Sequence, residues 1–154
     1  MPAGTLHAVL AGTVLAEIQQ NSNTTYRVYD WNRLGADGQP RALHVNRALD
    51  VIRYDQVGLT LPEARPCGTG PDWSCELLCQ NQYFSTERYR MAPGAEYQGE
   101  CDGSTLEIWG VIEGDAEIGG VALEAVRFIL LPAGLGAFTV RASKDATLLR
   151  TYVA

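Results

Sequence analysis

The second half of the sequence constrains the fold most strongly. From residue 75 onward, short stretches of alternating apolar and polar residues are separated by turn sequences such as A-P-G, E-G-D and G-G. Many short strands with frequent turn signals are typical of a β-sandwich or barrel. We therefore predict an all-β fold in which Trp109 and Phe128 belong to the core. The predicted strands are residues 75–80, 83–91, 105–112, 116–118, 121–123, 128–131, 137–141 and 146–153.

The N-terminal residues also alternate, and they carry the chemically interesting side chains. Residues 5–10, 13–20 and 25–31 are predicted to be three strands, separated by a turn at Gly12 and by N-S-N. Successive side chains of a strand point to opposite faces. In a hairpin arrangement, one concave wall could therefore carry His7, Glu17 and Arg27 together.

The middle of the chain is predicted to be irregular apart from one helix. Residues 35–40 (G-A-D-G-Q-P) form a loop, and Val45, Ala48, Leu49 and Ile52 then follow helical spacing over two or three turns. Residues 54–74 contain three prolines and several glycines, which predicts a connector with little regular structure.

Charge and hydropathy exclude several classes of partner. The net charge is -6 and no stretch is rich in lysine or arginine, which argues against nucleic acid and anionic membranes as partners. No segment reaches the roughly 18 apolar residues of a membrane span, and the N-terminus lacks the pattern of a signal peptide. The four cysteines include no C-x-x-C pair, so we expect reduced thiols in a cytoplasmic protein. They are Cys67, Cys75, Cys79 and Cys101.

A short internal repeat suggests how the chain is divided. P-A-G-T-L-H at residues 2–7 is similar to P-A-G-L-G-A at residues 132–137, and in both copies the turn leads into an apolar segment. A full set of predicted strands precedes only the later copy. We therefore expect the tail of a first β-domain in residues 1–34, a loop, helix and connector in 35–74, and a second β-domain in 75–154.

Two motifs resemble those of the cupins. P-x-G-x-x-H at residues 2–7 fits the core of the second cupin motif, and Glu107 followed by Gly114 fits the end of the first. The resemblance implies a cupin (RmlC-like) jelly-roll barrel, preceded by the C-terminal strands of a first, incomplete cupin and a short connecting helix. In the later unit the histidines before Glu107 are absent and Ala137 replaces the histidine of the second motif. The resemblance thus implies a metal-free second cupin.

The stretches G-T-L-H-A, E-I-Q-Q-N-S and T-Y-R-V-Y-D, with P-R-A-L-H after them, resemble the type I mannose-6-phosphate isomerases. That resemblance implies zinc-dependent interconversion of mannose 6-phosphate and fructose 6-phosphate, with this chain as the C-terminal half. It implies that His7 is a zinc ligand, that Arg27 is catalytic and that Glu17 is a candidate for proton transfer. Asn23 departs from the aspartate of many relatives. A single histidine does not make a protein zinc site, so we expect the isolated chain to be inactive.

Each of these residues also has a structural interpretation. His7 could be a structural histidine of a strand, Glu17 could lie on a solvated face, and Arg27 could pair with Asp30 or Glu17. The alternative function is a non-catalytic cupin binding module without metal. An exposed sheet edge would also permit a homo-oligomer or strand exchange that completes the first cupin.

Overall fold

The computed structural model describes residues 1–56 and 62–153. The chain divides into two compact units, Met1–Thr60 and Leu61–Ala154, which are described separately. No helix in the described residues is long and apolar enough to cross a membrane.

The second unit consists of strands. In its described residues the strands are β1 (Arg65–Thr69), β2 (Trp73–Gln80), β3 (Ser85–Met91), β4 (Glu96–Cys101), β5 (Glu107–Glu113), β6 (Asp115–Ile118), β7 (Val121–Glu124), β8 (Arg127–Leu131), β9 (Gly136–Ala142) and β10 (Ala146–Tyr152).

These strands form two antiparallel sheets. The six-stranded sheet has the order β1-β2-β3-β10-β5-β8, and the four-stranded sheet has the order β4-β9-β6-β7. Residues of both sheets contribute to one buried apolar cluster. The predicted all-β jelly roll is confirmed, although the sheets are not closed into a barrel.

Two-residue periodicity explains the core. Along β5, Trp109 and Val111 are fully buried, whereas Ile108, the residue before Trp109, is exposed on the other face. Along β9, Phe138 and Val140 point into the same core. The prediction for Trp109 is confirmed. That for Phe128 is wrong, because its ring is half exposed and covers Gly110 on the outer face.

Two strands were not expected. Residues 54–74 were predicted to lack regular structure, yet β1 lies among them as an edge strand that contains Pro66. Proline is tolerated at a sheet edge because its missing N–H is not needed there. The strand β4 was not predicted either; its sequence E-Y-Q-G-E-C is rich in polar residues and exposed at alternate positions.

The first unit has little regular structure. The predicted helix is confirmed as α1 (Val45–Val51), two turns long. The predicted strands at 5–10, 13–20 and 25–31 are wrong, because these residues make no ladder with a neighbouring strand and are almost all exposed. The strands of an incomplete first cupin are therefore not formed. Both P-A-G turns are present, with Thr5 N–H bonded to Pro2 O and Leu135 N–H to Pro132 O.

The prediction that all cysteines are reduced thiols is also contradicted. Cys67 and Cys75 form a disulfide between β1 and β2, with their Cα atoms 5.4 Å apart. The register of the two strands shifts between Pro66 and Gly68, so Cys67 is the extra residue of a bulge opposite Cys75. Cys79 and Cys101 are free, and Cys101 is buried.

Candidate active-site residues and an arginine cluster

His7 lies on the surface of the first unit. Its Nδ1 is 3.1 Å from the carbonyl oxygen of Thr5, two residues earlier, and the imidazole is exposed. This local contact fixes one ring nitrogen near the turn that starts at Pro2 and leaves the other accessible. The location is compatible with a metal ligand that faces outward.

Glu17 is also exposed and lies in a segment without regular secondary structure. Among the described residues, no hydrogen bond or ion pair joins any two of His7, Glu17 and Arg27. The three predicted site residues are thus not linked to one another by direct contacts in the described structure. The assumed hairpin strands that were to align them are not present.

Arg27 is anchored much more firmly. Its backbone N–H donates to Nδ1 of His44 over 3.2 Å, and its carbonyl oxygen accepts the backbone N–H of His44 over 2.7 Å. The guanidinium donates to the carbonyl oxygen of Ala42 over 3.2 Å, and Nε lies 4.0 Å from Oδ1 of Asp30. Arg27 is therefore half-buried and positioned by the residues that precede α1, and His44 has a structural role there.

Asp30 is the centre of an arginine cluster, which we define as Asp30 with Arg27, Arg33 and Arg41. The carboxylate is buried, with 6% of the residue exposed. Arg33 Nη2 donates to Oδ1 over 2.9 Å, and Arg41 Nε donates to Oδ2 over 2.6 Å. The hydrogen bond from Arg41 is the main cause that lowers the pKa of Asp30 from 3.8 to about 2, with a further contribution from Arg33.

Arg33 and Arg41 were not singled out from the sequence. Arg33 lies three residues after Asp30, a spacing that alone could have suggested a pair. Arg41 comes from the far side of the loop at residues 35–40, which closes through the Leu34–Pro40 bridge. Three guanidiniums around one carboxylate leave a surplus of positive charge, because all three arginines stay protonated.

The described residues of the first unit do not by themselves fit a zinc site. Protein zinc sites use three or four ligands, and among the described residues His7 belongs to no group of three or more potential ligands. The one such group found in the described part of the chain lies in the second unit and comprises Cys67, Cys75 and Glu87.

An ion network fills the interior of the second unit beside the core. Arg150 Nε donates to Glu107 Oε2 over 2.8 Å, and Nη2 contacts the other oxygen of the same carboxylate. Arg150 Nη1 also lies 3.2 Å from Glu87, and Trp109 Nε1 donates to Glu107 over 2.7 Å. Glu107, the residue that matches the first cupin motif, is thus bound to a guanidinium.

Comparisons with known proteins agree with this fold and with the resemblance to the mannose-6-phosphate isomerases. No family model matches the chain. A probable mannose-6-phosphate isomerase of Bacillus subtilis is 35% identical over 145 residues, which is 91% of this chain and 44% of the relative. A further mannose-6-phosphate isomerase of B. subtilis is 32% identical over 90% of this chain and 44% of its own length. The chain thus spans about half the length of the curated relatives it matches.

Solved structures give the same result. The crystal structure of the B. subtilis mannose 6-phosphate isomerase superimposes with a TM-score of 0.69 at 29% identity, over 86% of this chain and 41% of that one. An RmlC-like cupin of Shewanella frigidimarina superimposes with a TM-score of 0.50 at 18% identity, over 59% of this chain and 84% of its own, which shows the fold alone. The chain is therefore a homologue of the mannose-6-phosphate isomerases over about half of their length.

Proposed function

We propose that this sequence is part of a zinc-dependent mannose-6-phosphate isomerase that acts in the cytoplasm. The observation that carries the proposal is the match to mannose-6-phosphate isomerases over 91% of the chain. The reaction interconverts an aldose and a ketose phosphate by moving a proton between C1 and C2 through an enediol. The substrate class is accordingly a six-carbon sugar phosphate.

Arg27 is the residue best placed to contribute to this chemistry. An enediol intermediate develops negative charge on oxygen, which a guanidinium stabilises without changing its own protonation. Arg27 is held by His44, Ala42 and Asp30 and remains about one quarter exposed at its side chain, so a ligand can reach it. Glu17 is exposed and is our candidate to move the proton, which requires a base within hydrogen-bond reach of the substrate.

The arginine cluster supports a phosphorylated substrate. Arg33 and Arg41 are 65% and 41% exposed at their side chains, and Asp30 compensates only one of the three positive charges. Guanidinium groups suit the oxygens of a phosphate because they donate in pairs. We propose that the uncompensated charge of this cluster attracts the sugar phosphate.

The proposal includes zinc, which would polarise the sugar carbonyl as a Lewis acid. His7 would be one of the ligands that hold the ion. The described residues provide one ligand for it, so we assign no step to the metal. We expect the isolated 154 residues neither to hold stoichiometric zinc at His7 nor to isomerise mannose 6-phosphate. Normal turnover by the isolated chain would contradict this expectation.

A chimera tests the isomerase function directly. The matching segment of the B. subtilis isomerase is replaced by this chain, and mannose 6-phosphate turnover is measured with a coupled assay. We expect activity, and a fall in kcat of about a hundredfold or more with Arg27→Ala, as for loss of an oxyanion-stabilising group. Arg47→Ala, on the exposed helix α1, is the matched control and should leave kcat unchanged. A folded chimera without turnover would contradict the proposal.

The alternative is a non-catalytic cupin module without metal, which is favoured for the isolated chain by the lack of direct contacts among His7, Glu17 and Arg27. A third arrangement, strand exchange or a homo-oligomer, is favoured by the exposed apolar side chains of the first unit, such as Leu6, Leu10 and Val14. Light scattering separates the metal-free module from strand exchange, because strand exchange requires a dimer or larger species and the module does not.

A further inference from the structure

Three potential metal ligands meet on adjacent strands of the second unit. Sγ of Cys67 on β1, Sγ of Cys75 on β2 and a carboxylate oxygen of Glu87 on β3 all lie within 4.8 Å of one another. Cys75 and Glu87 are buried, whereas Cys67 is exposed on the edge strand. Two of the three potential ligands are therefore buried, and the third, Cys67, faces solvent.

Charge around Glu87 favours a cation. Glu87 and Glu107 are both buried, with 8% and 3% of each residue exposed, and both are paired with Arg150. Among the described residues, Arg150 is the one cation in contact with either carboxylate. Two carboxylates thus share a single positive charge, and an uncompensated buried charge is costly. A metal ion coordinated by Glu87 would stabilise this carboxylate by direct contact, and the two thiolates would balance the charge of the ion.

The carboxylate of Glu87 is already oriented. Tyr152 donates to Oε1 over 3.1 Å, while the hydroxyl of Tyr89 lies 3.4 Å and Arg150 Nη1 3.2 Å from Oε2. Hydrogen bonds of this kind hold metal-ligating groups in place in known sites. Carboxylate oxygens have about four acceptor positions in total, so these contacts leave room for a metal.

We propose that the reduced Cys67–Cys75 pair and Glu87 bind one zinc ion. Two thiolates and a carboxylate are ligands that zinc accepts in tetrahedral sites, with a water in the fourth position. Tetrahedral geometry with Zn–S bonds of about 2.3 Å requires sulfurs roughly 3.8 Å apart. Neighbouring antiparallel strands with Cα atoms 5.4 Å apart can provide this separation once the Sγ–Sγ bond is broken.

The disulfide and the metal exclude each other. A dithiol reductant transfers two electrons and two protons to the pair, which breaks the Sγ–Sγ bond and leaves two protein thiols and a cyclic disulfide of the reductant. Zinc then displaces the two thiol protons to the buffer, because thiolates are the ligands. The cytoplasmic location that we propose would keep the pair reduced.

The test uses the whole 154-residue chain, reduced with excess dithiol and desalted without oxygen. Cadmium is added as a spectroscopic probe, thiolate-to-cadmium absorption is recorded, and zinc affinity is measured by competition with a chromophoric chelator. We expect one metal ion per reduced chain and no binding after oxidation. Cys67→Ser should abolish the absorption, and because Cys67 is exposed on an edge strand the variant keeps the core intact. Glu87→Gln should weaken zinc binding about tenfold or more.

Two control variants separate this site from other ligands. Cys79→Ser removes a free cysteine of the same sheet, and His7→Ala removes the ligand of the proposed isomerase site; both should bind as the unaltered chain does. Failure of the reduced chain to bind, equal binding by Cys67→Ser, or loss of binding in His7→Ala would overturn the proposal. Because the measurement does not involve turnover, its failure leaves the isomerase function untouched.

Discussion

Asp30 gives the first unit a defined dependence on pH. Its pKa falls to about 2, chiefly through the hydrogen bond from Arg41, against 3.8 for an unperturbed aspartate. Since the folded pKa is the lower one, Asp30 contributes stability above about pH 4 that is lost as the pH falls toward 2. We expect the fold around Asp30 to loosen over that window, which the backbone amide signals of residues 27–44 report in an NMR titration.

Asp30→Asn removes the charge and should abolish this transition, leaving those residues loosened already at pH 6. Asp50→Asn, an exposed carboxylate on α1, is the matched control and should keep the transition. A carboxyl of Asp30 that titrates near pH 4 would show that Arg41 does not pair with it in solution.

Arg150 is the residue whose loss should cost the second unit most. Its removal leaves Glu87 and Glu107 buried without a cation, which typically destabilises a protein by about 3–5 kcal/mol. We therefore expect Arg150→Met to lower the free energy of unfolding by that order, measured by urea denaturation with the fluorescence of buried Trp109.

Arg141→Met provides the comparison at the surface. Arg141 pairs with Glu96 over 2.7 Å, but its side chain is 53% exposed. Exposed pairs contribute about 0–1 kcal/mol because water screens them. Equal losses for the two variants would mean that the Arg150 network is hydrated rather than buried.

Contacts between residues that are distant in the sequence are the ones that could not be predicted from it. The approach of Arg27 to Asp30 was one of the open alternatives, and it is present because the two lie three residues apart. Arg41 and the Cys67–Cys75 bond depend on a loop closure and on a strand bulge, respectively. Neither leaves a local pattern in the sequence.

At the level of elements, the turn between β5 and β6 should be the most sensitive to substitution. Gly114 has a φ of +78°, and a Cβ there would lie 2.1 Å from the carbonyl oxygen of Asp145. Backbone cannot move aside as a flexible side chain can. We expect Gly114→Ala to destabilise the second unit by more than about 2 kcal/mol, from left-handed strain of 1–2 kcal/mol plus this clash.

Gly120 separates the two contributions. It also has a positive φ, +84°, in the turn between β6 and β7, but a Cβ there would meet no atom within 4 Å. Gly120→Ala should therefore show the conformational cost alone, about 1–2 kcal/mol. Thermal unfolding followed by circular dichroism compares the variants, and equal shifts in Tm would argue against the clash.

The strands that could be predicted are those whose alternation is reinforced by burial. Segments such as β5, β9 and β10 place large apolar residues on one face, and the core of the second unit confirms them. In residues 5–31 the same local pattern gave false strands, because a strand also needs a hydrogen-bonding neighbour, which alternation does not reveal. The loss of the predicted wall with His7 and Glu17 follows from that.

The two units should differ in stability across the whole molecule. Backbone amides of β3, β5 and β10 lie in the interior of a six-stranded sheet around a buried core, so they open only by global unfolding, at a cost of about 5–15 kcal/mol. Residues 5–20 make no ladder with a neighbouring strand, and all but Thr5 are exposed; the N–H groups of Thr5 and Thr13 bond only within local turns. Hydrogen exchange followed by mass spectrometry should find the former protected for hours and the latter exchanged within seconds.

The same measurement in the chimera with the B. subtilis segment shows whether the N-terminal residues are intrinsically irregular or only unpaired. If the added segment provides neighbouring strands, residues 5–20 should become protected while β3 and β5 change little. Exposed apolar residues such as Leu10 and Val14 would then be buried, which supplies the free energy for ordering the segment. Unchanged fast exchange in an active chimera would show that His7 and Glu17 reach the substrate without becoming part of a sheet.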